Sequence, residues 1–237
     1  MVNFTKALEF GILMSPFYQW LDAAGPIDYL NNHSFDFLQS ISAGSTPLPE
    51  GLLEKAPVIN WHWISTAGDL EPVTATAGPI QAPTTTFKES PQLDYLLVPG
   101  PDPLLKLSDE CNSWIKAQFG GLKNLLTVCT GSLLITQTGL LDGVEAATNK
   151  VALKSIVGQG KFEQFSKVKW VKDKRFAKDG KIWSSAGITA GLDLAAEFAR
   201  AFIDPEIVQL GKEIAEYESN PAQPDPFAYI LEGVVLK

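Results

Sequence analysis

An apolar run that meets a helix with no loop between them constrains this chain more than any other feature. Residues 122–128, Leu-Lys-Asn-Leu-Leu-Thr-Val, read as a β-strand that is most apolar at its end. They lead directly into Cys129-Thr130-Gly131 and then a helical stretch from Ser132 to Thr138, which Gly139 can close. A strand that turns at once into a helix presents the turning residue at the top of a sheet. The junction therefore predicts a sheet covered by helices, with a sulfur at the edge where such sheets bind ligands.

Other segments agree with that architecture. Leu8 to Met14 reads as a buried strand ended by Ser15-Pro16, Val58 to Thr66 as a strand, and Leu93 to Val98 as a compact apolar strand stopped by Pro99-Gly100-Pro101-Asp102-Pro103. Trp20 to Leu30 reads as a loop leading into a short helix opened by Pro26. Phe35 to Ile41 fits strand or helix, Ser42 to Glu50 is loop-like, and Asp69 to Thr85 suggests short strands of a hairpin or excursion. Ser108 can cap a helix over Asp109 to Phe119. Val168 to Val171, Phe176 and Ile182 to Ser185 suggest two further strands around the Asp179-Gly180 turn. A long helix from Gly187 to Ile203 follows, then another from Ile207 to Tyr217, then a Pro-rich extended tail from about residue 220.

Buried strands alternating with helices predict an α/β fold in one domain over residues 1–237, with a mostly parallel central sheet and helices on both faces. In such sheets ligands sit beyond the carboxyl ends of the strands. That rule selects the loop after Met14, the Pro99–Pro103 loop and Cys129–Gly131.

Charge and composition narrow the partners. The net charge is −8, and the main basic cluster, Lys167 to Lys181, is broken by Asp173 and Asp179, so no nucleic-acid partner is expected. No apolar run reaches the ~18 residues of a membrane helix, and the N-terminus lacks the basic and long apolar regions of a signal peptide. A cytoplasmic protein without membrane association is the expectation. Two cysteines are too few for a disulfide framework. His33 and His62 do not sit at ligand spacing with each other or with a cysteine, so no metal is expected. His33, between Asn32 and Ser34, reads as solvent-exposed. His62, between Trp61 and Trp63, reads as packed, on a strand whose aromatic face belongs to the core or to a dimer contact.

Two readings of Cys129 stand side by side. Backbone N–H groups and the positive end of the following helix favour a thiolate, and such surroundings can lower the ordinary pKa of about 8.5 by several units. A small buried cysteine would suit the same turn. Cys111 lies in the first turn of an amphipathic helix with no Gly-rich loop around it and reads as a packing residue.

The segment Val128-Cys129-Thr130-Gly131-Ser132-Leu133-Leu134, with Thr138-Gly139-Leu140-Leu141-Asp142-Gly143 and Ala146-Ala147-Thr148 behind it, resembles the nucleophile segment of the DJ-1/PfpI superfamily. Three more segments match in the same order: Leu21-Asp22-Ala23-Ala24-Gly25-Pro26, Leu93 to Gly100, and Ser185-Ala186-Gly187-Ile188-Thr189-Ala190-Gly191-Leu192-Asp193. The resemblance implies a flavodoxin-like, class I glutamine amidotransferase-like sheet. It is nearest to the isocyanide hydratase branch, whose members carry an aspartate where many relatives have a glutamate; the aspartate here is Asp22.

The resemblance implies a lyase that adds water to an isocyanide and releases an N-substituted formamide. Cys129 would be the nucleophile and Asp22 the general acid/base, with no cofactor, a small-molecule substrate and a homodimeric assembly. It places Gly100, Thr130 and Gly131 beside the thiol as oxyanion donors or pocket wall, with Gly187, Ile188 and Thr189 near it. Three of these have a plainer alternative: Asp22 can cap the turn before Gly25-Pro26, Thr189 can cap a helix, and Gly100 can be a simple turn residue. Pro101, where relatives often have a second glycine, removes an N–H donor. Asn149-Lys150 stands where relatives often show a histidine. That departure disfavours protease and glyoxalase or deglycase chemistry on methylglyoxal. A non-enzymatic redox or stress-protective role, with Cys129 oxidised, is the remaining alternative.

Overall fold

The computed structural model describes residues 6–44, 47–219 and 224–236. Its first half runs through β1 (Leu8–Met14), α1 (Trp20–Asn31), α2 (Phe35–Ser42), β2 (Ile59–Ser65), β3 (Val73–Thr74), β4 (Ile80–Gln81), β5 (Thr85–Thr86) and β6 (Tyr95–Val98). The second half runs through α3 (Asp109–Gly121), β7 (Asn124–Val128), α4 (Gly131–Ile135), β8 (Glu145–Ala146), α5 (Lys150–Gly158), β9 (Lys169–Trp170), β10 (Phe176–Asp179), β11 (Ile182–Ser185), α6 (Ala190–Phe202) and α7 (Pro205–Ala215).

Seven strands form the central sheet in the order β10-β11-β7-β6-β1-β2-β5, and every pairing but β10 with β11 is parallel. The strands are apolar on both faces because both faces are covered. Ile12, Met14, Leu97, Leu126 and Val128 pack into one core with α1, α2, α6 and α7. Their neighbours Leu13, Leu96, Val98 and Leu125 pack into a second core with α3, α4 and α5. Successive strand residues alternate between the two, as a period of two requires. The α/β architecture with a mostly parallel sheet is therefore as expected.

Several local expectations change. Trp20–Asn31 is one continuous helix, with Pro26 inside it and not at its start. The prolyl nitrogen cannot donate, but Gly25 and Pro26 lie against Leu192 and Gly191 of α6, and this packing holds the helix together. Phe35–Ser42 resolves to a helix, with Ser34 accepting from the Phe37 N–H at 3.3 Å. Val168–Val171 supplies only the short β9, which pairs with β8 outside the main sheet. Helix α5 has no counterpart among the sequence expectations. His33 is fully buried, not exposed: its Nδ1 donates to the Tyr29 carbonyl at 2.8 Å, because α1 ends there beneath α7. Of the expected extended tail, residues 220–223 lie outside the described residues. From Pro224 the chain turns back over α5 through a short 3-10 turn, Ala228–Leu231. Among the described residues no helix is long and apolar enough to cross a membrane.

This topology aligns four strand ends. Thr127 pairs with Val98 and Val128 with Ser185, so the residues just past β6, β7 and β11 converge, and the end of β1 lies alongside.

Candidate active site

Cys129 is the residue at which β7 becomes α4, and its φ is +58°. A non-glycine residue in this region carries strain, which persists only where its surroundings over-determine it. Here they do. The Cys129 N–H faces the carbonyls of Ser185 and Ala186 at 3.2 and 3.1 Å. Its own carbonyl accepts from the Thr148 and Ser132 hydroxyls at 3.0 and 3.2 Å. Gly131 makes the turn tight enough, since a Cβ there would collide with the Val98 carbonyl oxygen. Gly131 thus sets the approach of α4 to β6.

Asp22 enters from the first turn of α1 and is fully buried. Its Oδ2 accepts from the Gly100 N–H at 2.9 Å, across 78 residues of sequence. It therefore does not cap the turn before Gly25-Pro26. The Gly100 N–H is spent on Asp22 and is not offered to a substrate. Gly100 must lack a side chain because a Cβ would lie 2.7 Å from the Thr130 nitrogen and 2.9 Å from Asp22 Oδ2. The carbonyl of Pro101 accepts from the Thr130 hydroxyl at 2.6 Å, which ties this loop to the turn.

Three donors surround the Cys129 sulfur: the Ile188 N–H, the Thr130 N–H and the Asn149 amide, whose Nδ2 is 3.3 Å away. Ile188 is itself at φ +34°. Gly187 lets Asn149 approach, since a Cβ on Gly187 would be 3.0 Å from Nδ2. Thr189 stands at the N-cap of α6 without capping it, and its hydroxyl accepts from Arg175 Nη2 at 3.2 Å. Cys129, Asp22, Gly100, Thr130 and Ile188 thus converge, Gly187 backs Asn149, and Gly131 and Thr189 face other partners.

Asn149 is the member that sequence reasoning passed over. The position drew attention only as a missing histidine. An asparagine before the periodic apolar residues of 150–158 is also a helix N-cap signal, and Asn149 does cap α5, accepting from the Ala152 N–H at 3.0 Å.

The electrostatics reverse one expectation. Burial and the neighbouring Asp22 carboxylate push the Cys129 thiol up to about 11, against the lowering effect of the Ile188, Asn149 and Thr130 donors. The helix behind the turn has only five residues, and a short helix supplies little dipole. Burial likewise pushes the Asp22 carboxyl up to about 7, opposed by hydrogen bonds from Gly100 and the Cys129 thiol. Its Oδ1 forms no well-aligned hydrogen bond among the described residues. The result is a neutral thiol beside a carboxyl that titrates near neutrality, an arrangement suited to passing one proton between them.

A buried cysteine at a strained strand-to-helix turn, on a mostly parallel sheet, defines the class. The chain belongs to the DJ-1/PfpI family, whose model matches residues 52–201. It is 31% identical over 218 residues to the isonitrile hydratase of Pseudomonas putida, spanning 91% of this chain and 81% of that protein. Two solved structures share the fold. A THiJ/PfpI family protein from Pseudomonas syringae has a TM-score of 0.68 at 22% identity, over 93% of this chain and 79% of its own. Drosophila melanogaster DJ-1beta has a TM-score of 0.66 at 16% identity, over 90% of this chain and 100% of its own.

Proposed function

We propose that this protein is a lyase that hydrates isocyanides to N-substituted formamides, with Cys129 as nucleophile and Asp22 as general acid/base. One observation carries the reading: a fully buried carboxyl, Asp22, is held by the Gly100 N–H beside the Cys129 thiol at the strand ends, and burial pushes its pKa up to about 7. The likeness to isonitrile hydratase over most of both chains supports the substrate class.

The chemistry follows from the two elevated pKa values. A thiol near 11 is a poor nucleophile at neutral pH unless its proton leaves as it attacks. Asp22 in its ionised form takes that proton while Sγ bonds to the terminal carbon of R–NC. The carboxylic acid then delivers the proton to the same carbon, leaving the thioimidate Cys129–S–CH=N–R. Water adds next to that carbon, with Asp22 accepting one of its protons and passing it to the imine nitrogen, which gives the adduct Cys129–S–CH(OH)–NH–R. The adduct collapses as its hydroxyl proton passes through Asp22 to the departing sulfur, the C–S bond breaks and R–NH–CHO leaves. The Ile188, Thr130 and Asn149 donors stabilise the negative charge on sulfur as it departs. Gly100 fixes the carboxyl through Oδ2, so Oδ1 is the oxygen available to carry the proton.

The reading includes a homodimer. Its support in this chain is an apolar surface of Phe17, 68% exposed, beside a hairpin bearing the equally exposed Ile80. Light scattering on the purified protein tests it.

The function is tested by supplying an alkyl isocyanide and following formamide release. Turnover by the native protein that disappears in Cys129→Ala and in Asp22→Asn is the expected result. Consumption of methylglyoxal without isocyanide turnover, or neither activity, overturns the reading.

A further inference from the structure

A cavity of about 290 Å³ is lined in part by residues that also face the thiol. Its lining includes Asn149 and Ile188, two of the three donors that surround the Cys129 sulfur. The apolar part of the lining also includes Val151 on the first turn of α5, and Phe227 and Ile230 from the segment that folds back after residue 224.

That segment is fastened at several points. The Asp225 N–H donates to the Asp173 carbonyl at 2.6 Å, and Lys172 Nζ donates to the Val234 carbonyl at 2.6 Å. The central fastening is an ion pair between Lys150 Nζ and Asp225 Oδ2 at 2.6 Å, with side chains only 4% and 2% exposed. Lys150 also donates to the Lys174 carbonyl at 3.2 Å. Phe227 follows Asp225 by two residues, and its N–H donates to Asp225 Oδ1 at 3.1 Å. The pair therefore sets where the aromatic ring stands.

The lining charges cancel. Lys150 is matched by Asp225, and Arg175 by Asp193 at 2.5 Å. An ionic substituent entering the cavity would lose its hydration and find no unpaired countercharge. An apolar one would meet Val151, Ile188, Phe227 and Ile230. The space is roughly twice the ~150 Å³ apolar cavity that admits benzene.

We infer that this cavity receives an uncharged alkyl or aryl substituent of the molecule attacked by Cys129, with Phe227 and Ile230 as specificity-determining residues positioned by the Lys150–Asp225 ion pair. The inference rests on the proposed hydratase reading, in which that substituent is the R group of the isocyanide.

The test uses the thiol directly. Cys129 of the full chain is alkylated with iodoacetamide and, separately, with N-benzyl iodoacetamide, and the site-resolved rates are read by peptide mass. In both reactions the sulfur displaces iodide, so only the substituent differs. The native protein is expected to favour the benzyl reagent relative to a free cysteine. Phe227→Trp and Ile230→Trp, which fill the cavity, should cut that preference about tenfold and leave the iodoacetamide rate in place. Asp225→Asn, which strands the buried Lys150 ammonium, should lower the preference as well. The double variant Lys150→Met/Asp225→Leu, which removes both charges, should restore it.

An unchanged ratio in both tryptophan variants overturns the inference. Formamide assays run in parallel separate the two claims. Size selectivity without isocyanide turnover defeats the hydratase reading alone. Turnover whose KM for a bulky isocyanide ignores Phe227→Trp defeats the cavity assignment alone.

Discussion

Asn149 Nδ2 lies 3.3 Å from the Cys129 sulfur, while the same side chain's Oδ1 accepts from the Ala152 N–H at 3.0 Å. One residue thus caps α5 and faces the thiol. The two roles separate by substitution. Asn149→Asp keeps an N-cap acceptor but replaces the donor with a negative charge, so it should slow turnover about tenfold or more with little loss of thermal stability. Asn149→Ala loses both and should cost about 1 kcal/mol of stability in addition. Steady-state kinetics with parallel denaturant melts checks this; native-like turnover in Asn149→Asp would assign Asn149 to the cap alone.

Asp22→Asn should move catalysis and thiol reactivity in opposite directions. Turnover requires a group that accepts and returns a proton, and an amide cannot. The Asp22 carboxylate is also one of the causes that push the Cys129 thiol up to about 11. Removing its charge lowers that pKa, so alkylation of Cys129 at alkaline pH should accelerate. Cys111, fully buried and pushed up to about 12, should stay unlabelled in both proteins. Slower alkylation in Asp22→Asn would show that the carboxylate does not face the thiol electrostatically.

The same carboxyl makes stability depend on pH. Its folded pKa of about 7 lies above the model-compound value of 3.8, so the folded state holds the proton more tightly. The associated stabilisation is complete below 3.8 and is lost as pH rises through about 7. At pH above 7, Asp22→Asn should therefore be more stable than the native protein, by up to about 4 kcal/mol. The Gly100 N–H can still donate to the amide oxygen. Urea melts on both sides of neutrality measure the difference.

His33 should act in the other direction. It is fully buried, its Nε2 has no partner among the described residues, and burial lowers its pKa from 6.5. The unfolded chain binds the proton more readily, so this contribution to stability is present above about 6.5 and lost as pH falls below it. His33→Gln should flatten the acid limb of the Tm-against-pH profile, and an unaltered limb would count against the assignment.

Gly131→Ala should be more damaging than Gly100→Ala. The new Cβ at Gly131 meets the Val98 carbonyl, which belongs to the central sheet, whereas at Gly100 it meets the loop and the movable Thr130 and Asp22 side chains as well as the Thr130 backbone. Overpacking of this kind costs about 1–3 kcal/mol. Gly100→Ala should show its main effect in turnover, through a displaced Asp22, and Gly131→Ala in the denaturation midpoint.

The sequence by itself determined the sheet and the bend above it. Alternation at Ile12, Leu13 and Met14, at Leu96, Leu97 and Val98, and at Leu125, Leu126 and Val128 is a local property, and a period of two with apolar residues on both faces has few solutions. The Cys129-Thr130-Gly131 junction was legible for the same reason, since strand, turn and helix signals lie within a dozen residues. Tertiary structure alone decided what surrounds the sulfur. Gly100 reaches Asp22 across 78 residues and Asn149 reaches Cys129 across 20, and neither spacing is a local pattern. Pro26 sits inside a helix because α6 holds it there, and His33 is buried because α7 covers it. The direction of the thiol's pKa shift was settled in the same way: local amides favour the thiolate, but burial and a distant carboxylate outweigh them, and both arise only when the chain has closed around the site.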